Sequence, residues 1–468
     1  MTLELEEISL QQKFEEVIAA EDKLAIQDFL NHQNISDVAD LIYNNEEYEN
    51  QIISHLSIHR AVSVFKILEL PTQKRIIHDL PAFKTAELLN ELPPDDRTSF
   101  LSELPSSAVR ELVKTLTAEE RKVTLSLLGY PENSVGRMMT PDYVYVYVND
   151  TIEDVFNTIR RFAKSSETVD VLYVINDKGE LLDDIRIKDF ILASPDKKVS
   201  DLMDGRFISL HADDDQEVAS EAFKMNNRVA LPVVSKSNKL LGIVTIDDVL
   251  WVAEEEYSED MQKIGGTEAL DEPYLETPFF KLIKKRVGWL IVLFLGEFLT
   301  ASALAYFNDE IAKATVLVMF MPLIASSGGN SGSQASTLII QAMAMGEITL
   351  ADWWRIMRRE ILSGFTLGAI LGLIGFLRIC LWHVLMTHGV MEDLYGIHWF
   401  LIAVSVGISL IGVVLWGSLM GSMLPLILKR LGADPAVSSA PFVATLVDVT
   451  GLVIYFSVAY LFLQGILL

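Results

Sequence analysis

Between residues 287 and 467 the chain carries five apolar runs, at 287–306, 314–343, 361–382, 397–425 and 436–467. Each is close to or above the ~20 residues that a helix needs to cross a bilayer. No other feature restricts the fold as much, because in lipid every backbone polar group must be satisfied inside the segment. The runs must therefore be helices. Lys281, Lys284, Lys285 and Arg286 precede the first run, Arg355, Arg358 and Arg359 separate the second from the third, and Lys429 and Arg430 separate the fourth from the fifth. The alternate connections hold only Lys313 or no base at all. Bases collect on the cytoplasmic side of a membrane. The expectation is an integral protein of the inner (plasma) membrane, with a cytoplasmic N-terminal half and its carboxyl end outside.

Charge divides at the same border. Residues 1–280 carry a net charge of −27 and residues 281–468 a net charge of +1. Such an acidic half argues against nucleic acid as a partner and suits either plain solubility or divalent cations. The single cysteine, Cys380, excludes an intramolecular disulfide framework and a Cys-rich metal site. The start, "MTLELEEISL", lacks a basic n-region and an apolar core, so no cleavable secretory signal is expected.

Within the acidic half, residues 1–130 read as short helices. "LPAFKTAELLNE" (80–91), "LPPDDRTSFLSE" (92–103), "LPSSAVRELVKT" (104–115) and "LTAEERKVTLSL" (116–127) repeat with a period of twelve. Each opens on Leu followed by Pro or Thr, residues suited to a helix start. Apolar residues then recur three and four apart, which predicts a small α-helical superhelix.

The texture changes near 137. "YVYVYVND", "DVLYVIND", "RFISLHADD" and "ALPVVSKSNKLLGIVTIDDVL" predict strands, and "TIEDVFNTIRRF" and "QEVASEAFKMNN" predict helices between them. Residues 137–199 and 200–256 each read strand, helix, strand, strand, helix. The second half, with "ALPVV" and "LLGIVTIDDVL", resembles a CBS domain, and the first resembles its partner in a CBS pair. CBS pairs often bind adenine nucleotides, so ATP is the implied cofactor. The first copy carries "LLDDIRIKDF", with Asp183 and Asp184 where a Gly-Val-apolar strand is usual, and that departure counts against ATP. Residues 257–283 read as the end of an acidic helix and a bent linker, interrupted at Gly265-Gly266.

The membrane part holds two polar features. "PLIASSGGNSGSQASTL" (322–338) is rich in small residues. These allow close helix packing, while Gly328, Gly329 and Gly332 also permit unwound backbone whose carbonyls line a cavity. The Asn330 and Gln334 amides favour a pore lining over packing alone. In "ATLVDVTGLVIYF" (444–456), Asp448 stands alone in a run without Lys, Arg or Glu. An ionised Asp at the centre of a span costs about 2.5–3.5 kcal/mol. It therefore either holds a neighbouring helix as a protonated hydrogen bonder or faces an ion path. Ala444, Thr445 and Gly451 share its helix face, and Pro441 frees a carbonyl one turn deeper. Oxygen-only surroundings suit Mg²⁺ or Ca²⁺, and a symmetric dimer would supply a second Asp448.

With "VGWLIVLFLGEFLT", "SSGGNSGSQASTLII" and "LGADPAVSSAPFVATLVDVTGLVIYF", the whole chain resembles the MgtE-type magnesium channels and transporters. The resemblance implies a multi-domain fold: a cytosolic α-helical superhelical domain plus an α/β CBS pair, a connecting helix, and a five-helix transmembrane domain at 284–468. It implies a Mg²⁺-selective homodimer in membrane lipid, with the pore on the dimer axis and Asp448 and Ala444 facing it. It also implies closure by cytosolic Mg²⁺ held between acidic faces. The ligands carried over are Asp95, Asp213, Asp247, Glu254, Glu255, Glu259 and Asp260. Ser333 and Ala440 replace Asn residues common in the family, and Trp251 replaces an acid. No protein substrate is implied.

Three other readings arise. One is a proton-coupled or broader transporter of Mn²⁺ or Co²⁺, and another is a nucleotide sensor with a membrane anchor. In the third, Gly329-Asn330-Ser331-Gly332 matches the Gly-x-Ser-Gly pattern of rhomboid-type intramembrane proteases. That chemistry needs a His near Ser331, whereas His383, His388 and His398 fall at the outer ends of their spans.

Overall fold

The computed structural model describes residues 2–270, 272–313 and 315–466. The chain forms two compact units, one ending at Glu256 and the other beginning at Tyr257.

The first unit opens with short helices, and the twelve-residue period sets where the last four begin. They run Ala82–Glu91, Pro94–Ser102 (α1), Ser106–Thr115 and Ala118–Leu127, with Pro81, Pro93, Pro105 and Thr117 as their N-caps. Proline fits there because the first turn leaves its backbone donors without helical partners. Leu80, Leu92 and Leu116, which precede these caps, are buried. Each Leu thus anchors a turn while the following residue starts a helix. Arg97 of α1 is fully buried. Its guanidinium donates to Thr124 Oγ1 at 2.9 Å and to the Leu89 and Leu92 carbonyls at 3.1 and 3.2 Å, and it pairs with Glu120. A buried charge is tolerable when its donors are satisfied in this way.

Two three-stranded sheets follow. In the first, β1 (Tyr145–Tyr147) runs parallel to β2 (Val171–Ile175), which pairs antiparallel with β3 (Leu181–Arg186). In the second, β4 (Leu210–His211), β5 (Ala230–Val234) and β6 (Leu240–Thr245) repeat that order. Helices Ile152–Phe162 and Gln216–Asn226 make the two crossovers. Val171, Tyr173, Ile175 and Leu181 share one core with Ala230, Val234, Leu240 and Ile243, so the two modules bury each other. Helix α2 (Ile246–Ile264) leaves β6 directly.

The second unit is helical. Phe279–Tyr306 (α3), Leu350–Thr387, Gly396–Arg430 and Ala440–Leu463 are long and apolar enough to cross a membrane. The predicted span 314–343 instead gives a turn, Thr315–Phe320, and a 24-residue helix, α4 (Met321–Ala344). At 1.5 Å per residue α4 is about 36 Å long, enough for a ~30 Å core, but its Ser, Gly, Asn and Gln leave it less apolar than the other four. Helix α5 (Trp353–Thr387), helix α6 (Trp399–Arg430) and helix α7 (Ala440–Leu463) complete the unit. Helix α6 is central and packs on α4, α5 and α7, whereas α3 packs on α7 and buries none of its residues.

Candidate ion path and regulatory sites

The glycines of α4 do not unwind it. Residues 321–344 are helical throughout, which corrects the expectation of open backbone. Their missing side chains instead let two helices touch backbone to backbone. A Cβ on Gly417 of α6 would lie 2.3 Å from the Gly328 carbonyl oxygen, and one on Gly421 would lie 2.0 Å from that of Gly332. Gly328 and Gly332 are thus packing residues. Gly329 differs: a Cβ there would meet Ala444 at 3.4 Å and Asp448 Oδ1 at 3.5 Å. Gly329, Ala444 and Asp448 therefore come together.

Ser326, Asn330 and Gln334 follow one another at four-residue intervals on α4 and are exposed in the single chain. Asn330 Nδ2 donates to Ser326 Oγ at 3.3 Å. This polar stripe lies beside the contact of Gly329 with Asp448. Ser333 and Ala440, which the resemblance singled out, meet each other: Ser333 Oγ donates to the Ala440 carbonyl at 2.9 Å. Pro441 begins α7 rather than interrupting it, and Thr445 Oγ1 donates to its carbonyl at 3.1 Å. The Thr445 methyl group faces α3, where a Cβ on Gly296 would lie 2.7 Å from it. Thr445 therefore positions α3 on α7.

Sequence reasoning gave Glu297 no role. It follows Gly296 on α3 and is exposed, and its charge acts on Asp448. From Arg286 to Glu297 the helix rises about 16 Å, roughly half the hydrocarbon thickness. The available signal was a second acid inside an apolar run with no base nearby.

The hydroxyl of Ser331 is buried and shares a 2.8 Å hydrogen bond with Ser418 Oγ, while His383 stacks on Trp399 with ring centroids 4.1 Å apart. Neither arrangement resembles a nucleophile and its base.

In the first unit, Asp95 of α1 and Asp247 of α2 come into one electrostatic cluster with Asp96, Asp248 and Glu167. The last three were not foreseen. Asp95 is buried with its Oδ1 unpartnered, and burial, then Asp248 and Asp96, push its carboxyl well above the usual range. Burial also lifts Asp248 to about 7, against a hydrogen bond from Thr245 and reinforced by Asp247 and Asp96. Lys66 offsets part of the charge, 3.3 Å from Asp96. Asp213 pairs instead with Lys236 at 2.9 Å, and Glu254 and Glu255 lie exposed on α2. Among the described residues, no three of Asp, Glu, His and Cys converge closely enough to hold a metal.

On β3, Asp183 accepts the backbone N–H groups of Asp204 and Gly205 at 2.8 and 3.0 Å. Asp184 pairs with Arg228 of the second module at 3.1 Å, and its side chain is 1% exposed. Burial raises the Asp184 carboxyl although Arg228 pulls it down.

In the second unit, Glu259 pairs with Lys263, which also reaches Asp434 at 2.7 Å. Asp434 was not foreseen, and Asp260 lies next to Glu259 on α2.

Comparison with known proteins places this architecture. Residues 321–458 match the family model of MgtE, described as a divalent cation transporter. Residues 11–133 match the MgtE intracellular N domain, and 135–196 and 199–255 match CBS domains. The magnesium transporter MgtE of Thermus thermophilus is 36% identical over 414 residues, spanning 83% of this chain and 89% of that protein. That of Bacillus subtilis is 29% identical over 421 residues, 90% of each. A crystal structure of the cytosolic domain of the Mg²⁺ channel MgtE in complex with ATP superposes with a TM-score of 0.50 at 29% identity, covering 52% of this chain and 99% of that one. This chain belongs to the MgtE family of divalent cation transporters.

Proposed function

We propose that the chain carries Mg²⁺ into the cell through a path past Asp448 and closes that path when cytosolic Mg²⁺ rises. The observation behind the reading is a carboxylate, Asp448, set against Gly329 beside the amide stripe of Asn330 and Gln334. Magnesium gives up water reluctantly, so these polar groups would grip its hydration shell. A homodimer in the inner membrane, its N-terminal half cytoplasmic and its carboxyl end outside, would bring a second Asp448 to the path. The unburied face of α3 and the exposed stripe of α4 are consistent with such a partner.

Regulation would rest on the acids. With cations scarce, Asp95, Asp96, Asp247, Asp248 and Glu167 repel one another, and Mg²⁺ offsets that repulsion. Helix α2 is continuous from Asp247 to Glu259 and Lys263. The reading does not require ATP: Asp183 and Asp184, which stand on β3 where a Gly-Val-apolar strand is usual, are buried and held by the Asp204 and Gly205 N–H groups and by Arg228.

Reconstituted protein should take up Mg²⁺ rapidly when the cytoplasmic face sees little Mg²⁺ and several times more slowly when that face sees millimolar Mg²⁺. Uptake no faster than in protein-free vesicles would overturn the reading. Glu297→Gln should lower influx about threefold at sub-saturating outer Mg²⁺. The difference should fade at high ionic strength, because salt screens an exposed charge.

A further inference from the structure

The end of α2 is fastened to the start of α7 by a cation that belongs to the chain itself. Lys263 Nζ lies 2.7 Å from Asp434 Oδ2 and also pairs with Glu259. Asp434 is held in place by its other oxygen, which accepts the N–H of Ala436 at 2.8 Å, in the turn that leads into α7. All three side chains are about one-third exposed, so water reaches the group without dissolving it.

Independent contacts hold the same segment. Ile264 is buried with Ile340 of α4 and Ala436. Gly266 has φ +76°, a conformation that suits glycine, and ends the helix against α3 and α7. A Cβ there would lie 2.9 Å from the Trp289 indole and 3.2 Å from Pro441. Trp289 in turn donates from Nε1 to Ser439 Oγ at 3.1 Å. The connecting segment is thus pinned to α3 at Trp289 and to the ends of α4 and α7, and the last two carry Asn330 and Asp448.

Glu259 and Asp434 bring two negative charges, and Lys263 answers one. We propose that Lys263 is an internal cationic latch, which holds the connecting helix against α7 when cytosolic Mg²⁺ is low and keeps the place between Glu259 and Asp434 from depending on metal. The proposal rests on the Mg²⁺-gated reading above. In that frame the ammonium supplies a baseline of closure, and a dication that bridges the two carboxylates must displace it. Removing the ammonium frees both acids, so closure there becomes metal-dependent.

The test is Mg²⁺ uptake by full-length protein in proteoliposomes, with Mg²⁺ varied on the cytoplasmic face. Lys263→Met should raise uptake at low cytosolic Mg²⁺ about threefold, the scale of a partly exposed ion pair. Uptake at high cytosolic Mg²⁺ should stay suppressed, so the ratio between the two conditions widens. The charge-swapped double variant Lys263→Asp, Asp434→Lys should bring low-Mg²⁺ uptake back down. A purely structural role for Lys263 would lower uptake at every Mg²⁺ concentration and would not be rescued by the swap. Lys263→Met with wild-type uptake at low Mg²⁺ overturns the latch, as does a swap that behaves like Lys263→Met. Failure of the parent reading looks different: wild-type protein would then show no uptake, or none that cytosolic Mg²⁺ suppresses.

Discussion

Alanine at position 448 should cut Mg²⁺ influx into proteoliposomes to near the level of empty vesicles. An aspartate at the centre of a span costs about 2.5–3.5 kcal/mol to insert. No base of α3, α4, α6 or α7 lies at its depth: Lys281 to Arg286 sit at one end of the first of these, and Lys429 and Arg430 at an end of α6. If the carboxylate is ionised, the missing countercharge must be mobile, and a passing cation supplies it. Recovering that insertion cost corresponds to about a hundredfold in ion affinity, which sets the scale of the expected loss. Asp448→Asn separates charge from shape, because the amide keeps the volume and the hydrogen-bonding capacity. It should lose influx almost as fully as alanine. A glue residue would behave otherwise, with Asn retaining flux. Influx at half the wild-type rate in Asp448→Asn, with a normal elution profile in detergent, would refute the ion-path role.

How much of this was legible beforehand varies with the range of the forces involved. The superhelix was legible because its rule is local: Leu before a capping Pro or Thr, repeated every twelve residues, gives helices that start at Ala82, Pro94, Ser106 and Ala118. The paired sheets were legible for the same reason, since each strand is a short apolar run between turn residues. Helix α4 was misread in one respect. Gly328 and Gly332 are compatible with unwound or helical backbone, and their own sequence does not choose between them. The choice is made by Gly417 and Gly421, which bring α6 close enough for α4 to stay wound. Asp434 escaped notice because its partner Lys263 lies 171 residues earlier. Asp96, Asp248 and Glu167 were hidden likewise, as an acid in an acidic chain carries no mark until the fold buries it beside others.

The contact that keeps α4 wound also predicts the largest effect on stability. Gly421→Ala should unfold or dissociate the membrane unit, although alanine is the better helix former by about 1 kcal/mol. Its Cβ would sit 2.0 Å from the Gly332 carbonyl oxygen, 2.8 Å from the carbonyl carbon and 3.0 Å from the Cα. All three are backbone atoms, so no rotamer can relieve the clash. Helices α4 and α6 must separate along a seam where Gly417 meets Gly328 as closely. Overpacking a core usually costs about 1–3 kcal/mol, and here the displaced element is a whole helix, so the upper end or beyond is expected. Gly288→Ala is the matched control, because its new Cβ would have only Glu268 Oε1 within reach, at 3.8 Å. It should unfold no earlier than wild type. Thermal unfolding in detergent, followed with tryptophan fluorescence, compares the two directly. Should Gly421→Ala unfold at the wild-type temperature, α4 and α6 would not meet as described. The Gly329 contact that seats Asp448 would then lose its support as well, because α4 holds Gly329 and Gly332 one turn apart on the same face.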